Sequence, residues 1–302
     1  MLRLSLCCKF NTAPIKFRTT TARYLKTLET PLVFLGQLIE ANVNALEQAI
    51  TYCSEHHIGG FRVNSDFFPS ITHPDQGYQL ADLPNYSSLL SQFAVVNLLA
   101  QKLDVRLSFH PDQFVILNSP KPEVVNNSLS ELEYHGQAAD LIGADVINIH
   151  GGGGYGDKDA ALKRFSTNFK RLSPQVQTRL TVENDDTTYS PSELLPLCRD
   201  LGIPLVYDVH HHRCLKDDLS IESATTKALD TWNREPLFHI SSPKDGWSSP
   251  KPKKHAYTID PSDVPVIWKN LPNLTLDIEA KAKEDAVEAL YTHLKTQGWP
   301  LL

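Results

Sequence analysis

The chain has 302 residues, 41% of them hydrophobic and 21% charged, an ordinary globular composition that can bury a large core. No apolar stretch approaches the roughly 20 residues a membrane helix needs. Net charge is −6, but residues 1–28 carry six basic side chains and no acidic one, leaving −12 on the other 274, so the overall sign decides little about an anionic partner.

Basic residues and threonines at the N-terminus resemble a mitochondrial transit peptide in composition, yet LRLSLCC is an apolar segment of strand length and is better read as a first strand. Five cysteines, Cys7, Cys8, Cys53, Cys198 and Cys214, make an odd count without CxxC spacing. That pattern suits a reduced, cytoplasmic chain.

In chain order, strand-like runs alternate with segments of helical period. The strands are expected at LRLSLCC (2–8), GFRVNS (60–65), VRLSFH (105–110), VINIH (146–150), RLTVEND (179–185), PLVYDVHH (204–211), PLFHISS (236–242) and LTLDIEA (274–280). Helices are expected over 36–57, 85–101, 123–141, 158–171, 191–200, 220–232, 261–269 and 283–296. Pro191 after Ser190 and before Glu193 is a helix start signal, as is Ser220 before Glu222. Eight alternations without a linker or an internal repeat predict one domain over 1–302, a (β/α)8 barrel of the TIM type.

Such a barrel carries its active site at the C-terminal ends of its strands, and polar residues gather at those ends here. His110 closes the third strand and His150 the fourth, Glu183 lies late in the fifth, Asp208 in the sixth, His239 in the seventh and Glu279 in the eighth. Imidazoles and carboxylates converging on one apolar mouth would repel or stay unpaired without a cation or a bound water network, and a divalent metal site is the economical solution. His73, His211 and His255 add donors from nearby loops, and nine donors are enough for two or three metal ions. Within DVHHH, regular strand geometry would put Asp208, His210 and His212 on one face and His211 on the other, whereas a strand ending in a loop could bring Asp208 and His211 together. Periodicity leaves that choice open. The other histidines fit structural places: His56 and His57 at a helix end, His135 and His293 on helix faces.

After His150 comes GGGGYGDK, in which Gly151, Gly153 and Gly156 match GxGxxG. The match is weak, because no acidic residue follows at the dinucleotide-fold distance, and Asp157 stands where a phosphate-binding P-loop requires lysine. The glycines are read instead as a steep exit from the strand that leaves room beside His150.

With SFHPDQF, NIHGGGGYGDK, LTVENDD, YDVHHH, FHISSP and IEAK in register, the chain resembles the ultraviolet damage endonuclease family from about residue 3 to 290. The resemblance implies a (β/α)8 barrel that hydrolyses the phosphodiester immediately 5′ to ultraviolet photoproducts in double-stranded DNA, leaving 3′-hydroxyl and 5′-phosphate ends without ATP. It implies metal ligands at His73, His110, His150, Glu183, Asp208, His211, His239, His255 and Glu279, thereby choosing His211 within DVHHH, with Glu183, His239 and Glu279 as the catalytic residues. The implied cofactor is two or three Mn2+ ions, with Mg2+, Co2+ or Zn2+ as alternatives. Gln113 and Phe114 become the pair that wedges into the damaged duplex, where a ring can replace lost stacking and an amide can bond an orphaned base; the rival role for Phe114 is a buried loop anchor. One departure is Leu237, where some relatives carry a lysine that is modified into a metal-bridging carbamate, and this puts the metal count in question. Basic loops at the mouth are expected to hold the DNA backbone: Lys9, Lys16, Arg18 and Arg23 after the first strand, and Lys244, Lys251, Lys253 and Lys254 after the seventh. A monomer in the bacterial cytosol or nucleoid is expected. The rival functions are an abasic-site endonuclease of the endonuclease IV type, a metal-dependent sugar isomerase of the xylose-isomerase type, and an inactive barrel that only recognises damage.

Overall fold

A computed structural model describes residues 1–302. Eight strands, β1 (Leu2–Cys7), β2 (Gly60–Val63), β3 (Arg106–Phe109), β4 (Val146–His150), β5 (Leu180–Glu183), β6 (Leu205–Val206), β7 (Leu237–Ile240) and β8 (Leu274–Ile278), form one parallel sheet in the order β6-β5-β4-β3-β2-β1-β8-β7. The His239 amide donates to the Tyr207 carbonyl at 3.1 Å, and a parallel bridge joins Asp208 to His239, so β6 meets β7 and the barrel closes. The fold is therefore the expected (β/α)8 barrel. Residues 2–7 pair with both β2 and β8, which makes the N-terminal segment part of the barrel wall.

Ten α-helices accompany the strands: α1 (Ala22–Leu25), α2 (Pro31–Glu55), α3 (Tyr86–Lys102), α4 (Pro122–Ile142), α5 (Lys158–Phe169), α6 (Pro174–Gln177), α7 (Pro191–Leu201), α8 (Val209–Cys214), α9 (Ile221–Leu229) and α10 (Glu284–Thr296). α2 starts five residues before the expected position because Pro31 fits the first turn, where its missing N–H costs nothing. α7 starts with a reciprocal Ser190–Glu193 capping box and stops at Gly202, whose φ of 67° is left-handed. The expected helix over 261–269 is absent: Pro261 and Pro265 break it into the 3-10 turns Pro261–Asp263 and Val266–Asn270. The expected strand over 204–211 is also shorter, because the chain turns at Asp208 into α8.

Side-chain parity decides the rest. Leu4, Leu6, Phe61, Val63, Leu107, Phe109, Ile147, Ile149, Val182, Phe238, Ile240, Leu276 and Ile278 belong to the main apolar core with residues of the surrounding helices. The alternate positions face the lumen, where only Val146, Val206 and Leu237 form a small separate apolar cluster. Most other lumen positions are polar. At the bottom, the Arg106 guanidinium donates to Thr275 Oγ1 (3.0 Å) and to Asp145 (2.9 Å), and Arg3 bonds Gly59 O (2.9 Å) and Glu235 (3.1 Å). Arg106 crosses from β3 to β8 in doing so. A polar lumen leading up to a polar mouth is what positions the site.

Candidate metal centre

The candidate ligands on the strands sit at or just past the C-terminal ends: His150 and Glu183 close β4 and β5, His239 is the penultimate residue of β7, and His110, Asp208 and Glu279 follow β3, β6 and β8. His150 and Glu183 are register neighbours on β4 and β5, and Glu183 is fully buried. Its carboxylate is a hub: Asn148 Nδ2 donates to Oε2 at 2.6 Å and His110 Nε2 meets Oε2 at 3.0 Å, while His211 Nδ1 and His239 Nδ1 each lie 3.2 Å from Oε1. His239 Nδ1 is also 3.4 Å from Glu279 Oε1. The ligand atoms form three overlapping groups, His110 with His150 and Glu183, His110 with His239 and Glu279, and Glu183 with Asp208 and His211, each within 4.8 Å.

The DVHHH segment is settled by local backbone chemistry. Asp208 is the N-cap of α8, its side chain accepting from the His211 amide at 2.7 Å, and the first helical turn brings residues three apart onto one face. His211 therefore joins Asp208, with Nδ1 3.5 Å from Oδ2. His212 turns away into a buried chain of its own, between the Tyr207 hydroxyl (2.7 Å) and Asp217 (2.9 Å). VENDD builds the frame around these ligands. Asn184 exchanges two hydrogen bonds with the Asp208 backbone (2.9 and 3.0 Å), and Asp185 accepts from the backbone amides of Thr187, Thr188 and Tyr189 to fix the following turn.

His255 lies at the rim, with Nδ1 3.0 Å from Ser241 Oγ and 3.8 Å from Glu279 Oε2. His73 is in none of the three donor groups. Its Nδ1 accepts from the amides of Asp75 (3.1 Å) and Gln76 (3.2 Å), which puts the ring proton on Nε2 and leaves no free lone pair in this arrangement.

Electrostatics follow from this crowding. Burial alone would raise the Glu183 carboxyl, but His239 and His150 hold it well below the usual range. Glu279 is likewise held well below it against burial, chiefly by Arg62 and His239. His211 and His239 are raised well above an ordinary imidazole although burial opposes this, by Asp208 and Glu183 for the first and by Glu183 and Asp277 for the second. His110 is lowered by burial. Even so, His150 Nδ1, Glu183 Oε1, Asp208 Oδ2 and both ring nitrogens of His239 are buried without a hydrogen-bond partner. Orphaned atoms on hard and borderline donors, gathered in three overlapping groups, fit divalent metal ions.

The cluster floors a cleft of 490 Å³ whose walls include Gln113, Gly152, Gly153, Asp185 to Thr188 and His255. Gln113 and Phe114 project from the loop after β3, and Phe114 is 75% exposed, which excludes the buried-anchor role. The glycine loop is clamped: Asn118 Nδ2 donates to the carbonyls of Gly151 (2.7 Å) and Gly153 (2.8 Å), and a Cβ on Gly152, at φ +83°, would collide with Asn118 Oδ1. Asp157 caps α5 with its own carboxylate, so that helix start is already occupied by an anion. Lys9, Lys16, Arg18, Lys244, Lys251 and Lys254 line the loops expected to meet DNA, whereas Lys253 reaches across the mouth to Thr187 Oγ1 (3.0 Å) and the Asp186 carbonyl. Leu237 is buried with Val146 and Val206 below the cluster and offers no donor. Sequence reasoning missed Arg62, Asn148 and Asp277, although a signal existed. Asn148 and Asp277 precede His150 and Glu279 by two residues, and so share their lumen face.

The model of the family described as UV-endonuclease UvdE matches residues 3–298. A UV DNA damage endonuclease of Bacillus velezensis is 34% identical over 299 residues, covering 95% of this chain and 91% of that protein. The crystal structure of SacUVDE superimposes with a TM-score of 0.88 at 26% identity over 99% of this chain and 100% of that one. Endonuclease IV from Thermus thermophilus shares the fold at a TM-score of 0.60 and 14% identity, over 83% of this chain and 94% of that one. Matched along nearly its whole length, the chain belongs to the UV-endonuclease UvdE family.

Proposed function

We propose that the chain is a UV-damage repair endonuclease that cuts double-stranded DNA immediately 5′ to cyclobutane dimers and 6-4 photoproducts, leaving 3′-hydroxyl and 5′-phosphate ends. The observation that carries this reading is the gathering of His110, His150, Glu183, Asp208, His211, His239 and Glu279 into three overlapping groups of donors beneath an open polar cleft, in a chain of this family. His255 lies at its rim. Two or three divalent ions, Mn2+ foremost, would supply Lewis-acid stabilisation of the reacting phosphate and activate the attacking water. Asn148 orients Glu183, Arg62 holds Glu279 at 2.6 Å, and the imidazoles define where the cations sit. Gln113 and the exposed Phe114 ring enter the distorted duplex beside the cleft, filling space that displaced bases leave. Lys251, Lys253, Lys9 and Arg18 neutralise flanking phosphates.

The test is incision of a short duplex with one cyclobutane dimer, beside undamaged and abasic duplexes, with Mn2+ or EDTA. A cut immediately 5′ of the dimer that EDTA and His150→Ala both abolish is expected. Cutting confined to the abasic duplex would replace this reading with the endonuclease IV type, and binding without any cutting would leave a damage-recognition barrel.

A further inference from the structure

The lumen holds one fully buried carboxylate outside the nine predicted ligands, Asp277. Its register partner on β7 is His239, and parity turns both side chains into the lumen one step below Glu279. Asp277 Oδ2 lies 3.4 Å from His239 Nε2 and 3.6 Å from Arg62 Nη1, while the same Arg62 nitrogen bonds Glu279 Oε1 at 2.6 Å. Both Asp277 oxygens are nevertheless buried without a hydrogen-bond partner. A buried carboxylate without hydrogen bonds is costly even beside charged neighbours, so packing alone gives no reason for it, and nonpolar Val146, Val206 and Leu237 sit in the same lumen.

The His239 ring supplies the reason. Its Nδ1 faces upward to Glu183 Oε1 (3.2 Å) and Glu279 Oε1 (3.4 Å), and its Nε2 faces downward to Asp277. An imidazole that gives one nitrogen to a cation needs an acceptor for the N–H on the other, and that acceptor fixes the tautomer and the ring plane. We propose that Asp277 is a positioning residue of the metal centre: it accepts the Nε2–H of His239, commits the Nδ1 lone pair to the cation site, and is held in register by Arg62. The inference rests on the metal-centre reading above. Arg62 thereby joins two carboxylates, Glu279 in the ligand layer and Asp277 beneath it.

Mn2+ binding to the purified full chain, counted by electron paramagnetic resonance titration without DNA, tests this. Asp277→Ala should weaken at least one Mn2+ site by roughly 10- to 100-fold. Asp277→Asn should bind within about threefold of the parent, because Arg62 and Nε2–H both select the amide oxygen at the Oδ2 position and the ring keeps its acceptor. A residue that served only as a counter-ion to Arg62 would give the opposite pattern: both variants would melt earlier and both would bind Mn2+ like the parent, which overturns the proposal. Equal loss in the two variants overturns it as well. If Asp277→Ala does not fold, Asp277→Ser, read against Asp277→Asn in the same titration, carries the comparison, since a shorter side chain removes the acceptor from Nε2. Parent protein that binds no Mn2+ would sink the metal-centre reading and this inference with it, whereas a parent that binds and variants that match it sink this inference alone.

Discussion

Replacing Phe114 by alanine separates recognition from folding. The ring is 75% exposed, and the turn that carries it is held by other groups: Asp112 Oδ1 accepts from the Phe114 amide at 3.0 Å, the Asp112 carbonyl accepts from Val115 N at 2.8 Å, and Val115 is buried. Removing the ring therefore takes almost nothing from the core, and stability should change by less than about 0.5 kcal/mol. If the ring stacks in the damaged duplex it is worth roughly 1–3 kcal/mol, or about 5- to 150-fold in Kd. Fluorescence anisotropy with a dimer-containing duplex and its undamaged twin measures both affinities at one salt concentration. The loss should fall on the damaged duplex, and Phe114→Tyr should restore it, because the phosphate interactions that govern undamaged DNA are untouched. Equal loss on both duplexes, or none on either, would refute the wedge role. A large fall in melting temperature would show instead that the ring packs within the protein.

Lys251→Ala with Lys253→Ala should flatten the salt dependence of undamaged-duplex binding by about 0.9 for each phosphate no longer neutralised, near two in all, with the preference for damage unchanged; an unaltered slope would leave these lysines out of the interface. Stability should also fall in mild acid through His135, buried in α4 with its Nδ1 on the Glu131 carbonyl at 2.7 Å and its Nε2 unpartnered. Burial lowers its pKa from 6.5 to about 4, so between these values the unfolded chain binds the proton and the folded one does not. The contribution is complete above pH 6.5 and falls by about 3 kcal/mol as pH drops towards 4. Urea unfolding at about pH 4.5 and about pH 7.5, either side of the unfolded imidazole's titration, should show a smaller difference in His135→Leu than in the parent; identical differences would remove His135 from the account.

The barrel and most of the candidate ligand positions were legible in the sequence. Apolar runs alternating with helical periods specify wall and shell, and a histidine or acidic residue at the end of an apolar strand is legible because little else would put it there. Helix limits followed the same logic where caps are local, as at Ser190 and Ser220, and failed at 261–269, where prolines break the pattern into short turns. Tertiary structure decided what depends on a turn or on neighbours distant in sequence. Strand periodicity would have parted His211 from Asp208, and the N-cap of α8 joined them. His73 falls outside the three donor groups, with its Nδ1 accepting from the amides of its own turn. Arg62, Asn148 and Asp277 looked like stray polar residues in apolar strands until closure brought β2, β4 and β8 together around one lumen. The physical reason is that one-dimensional patterning records which side of a strand is buried, whereas the partner of a buried charge is fixed only when the barrel closes.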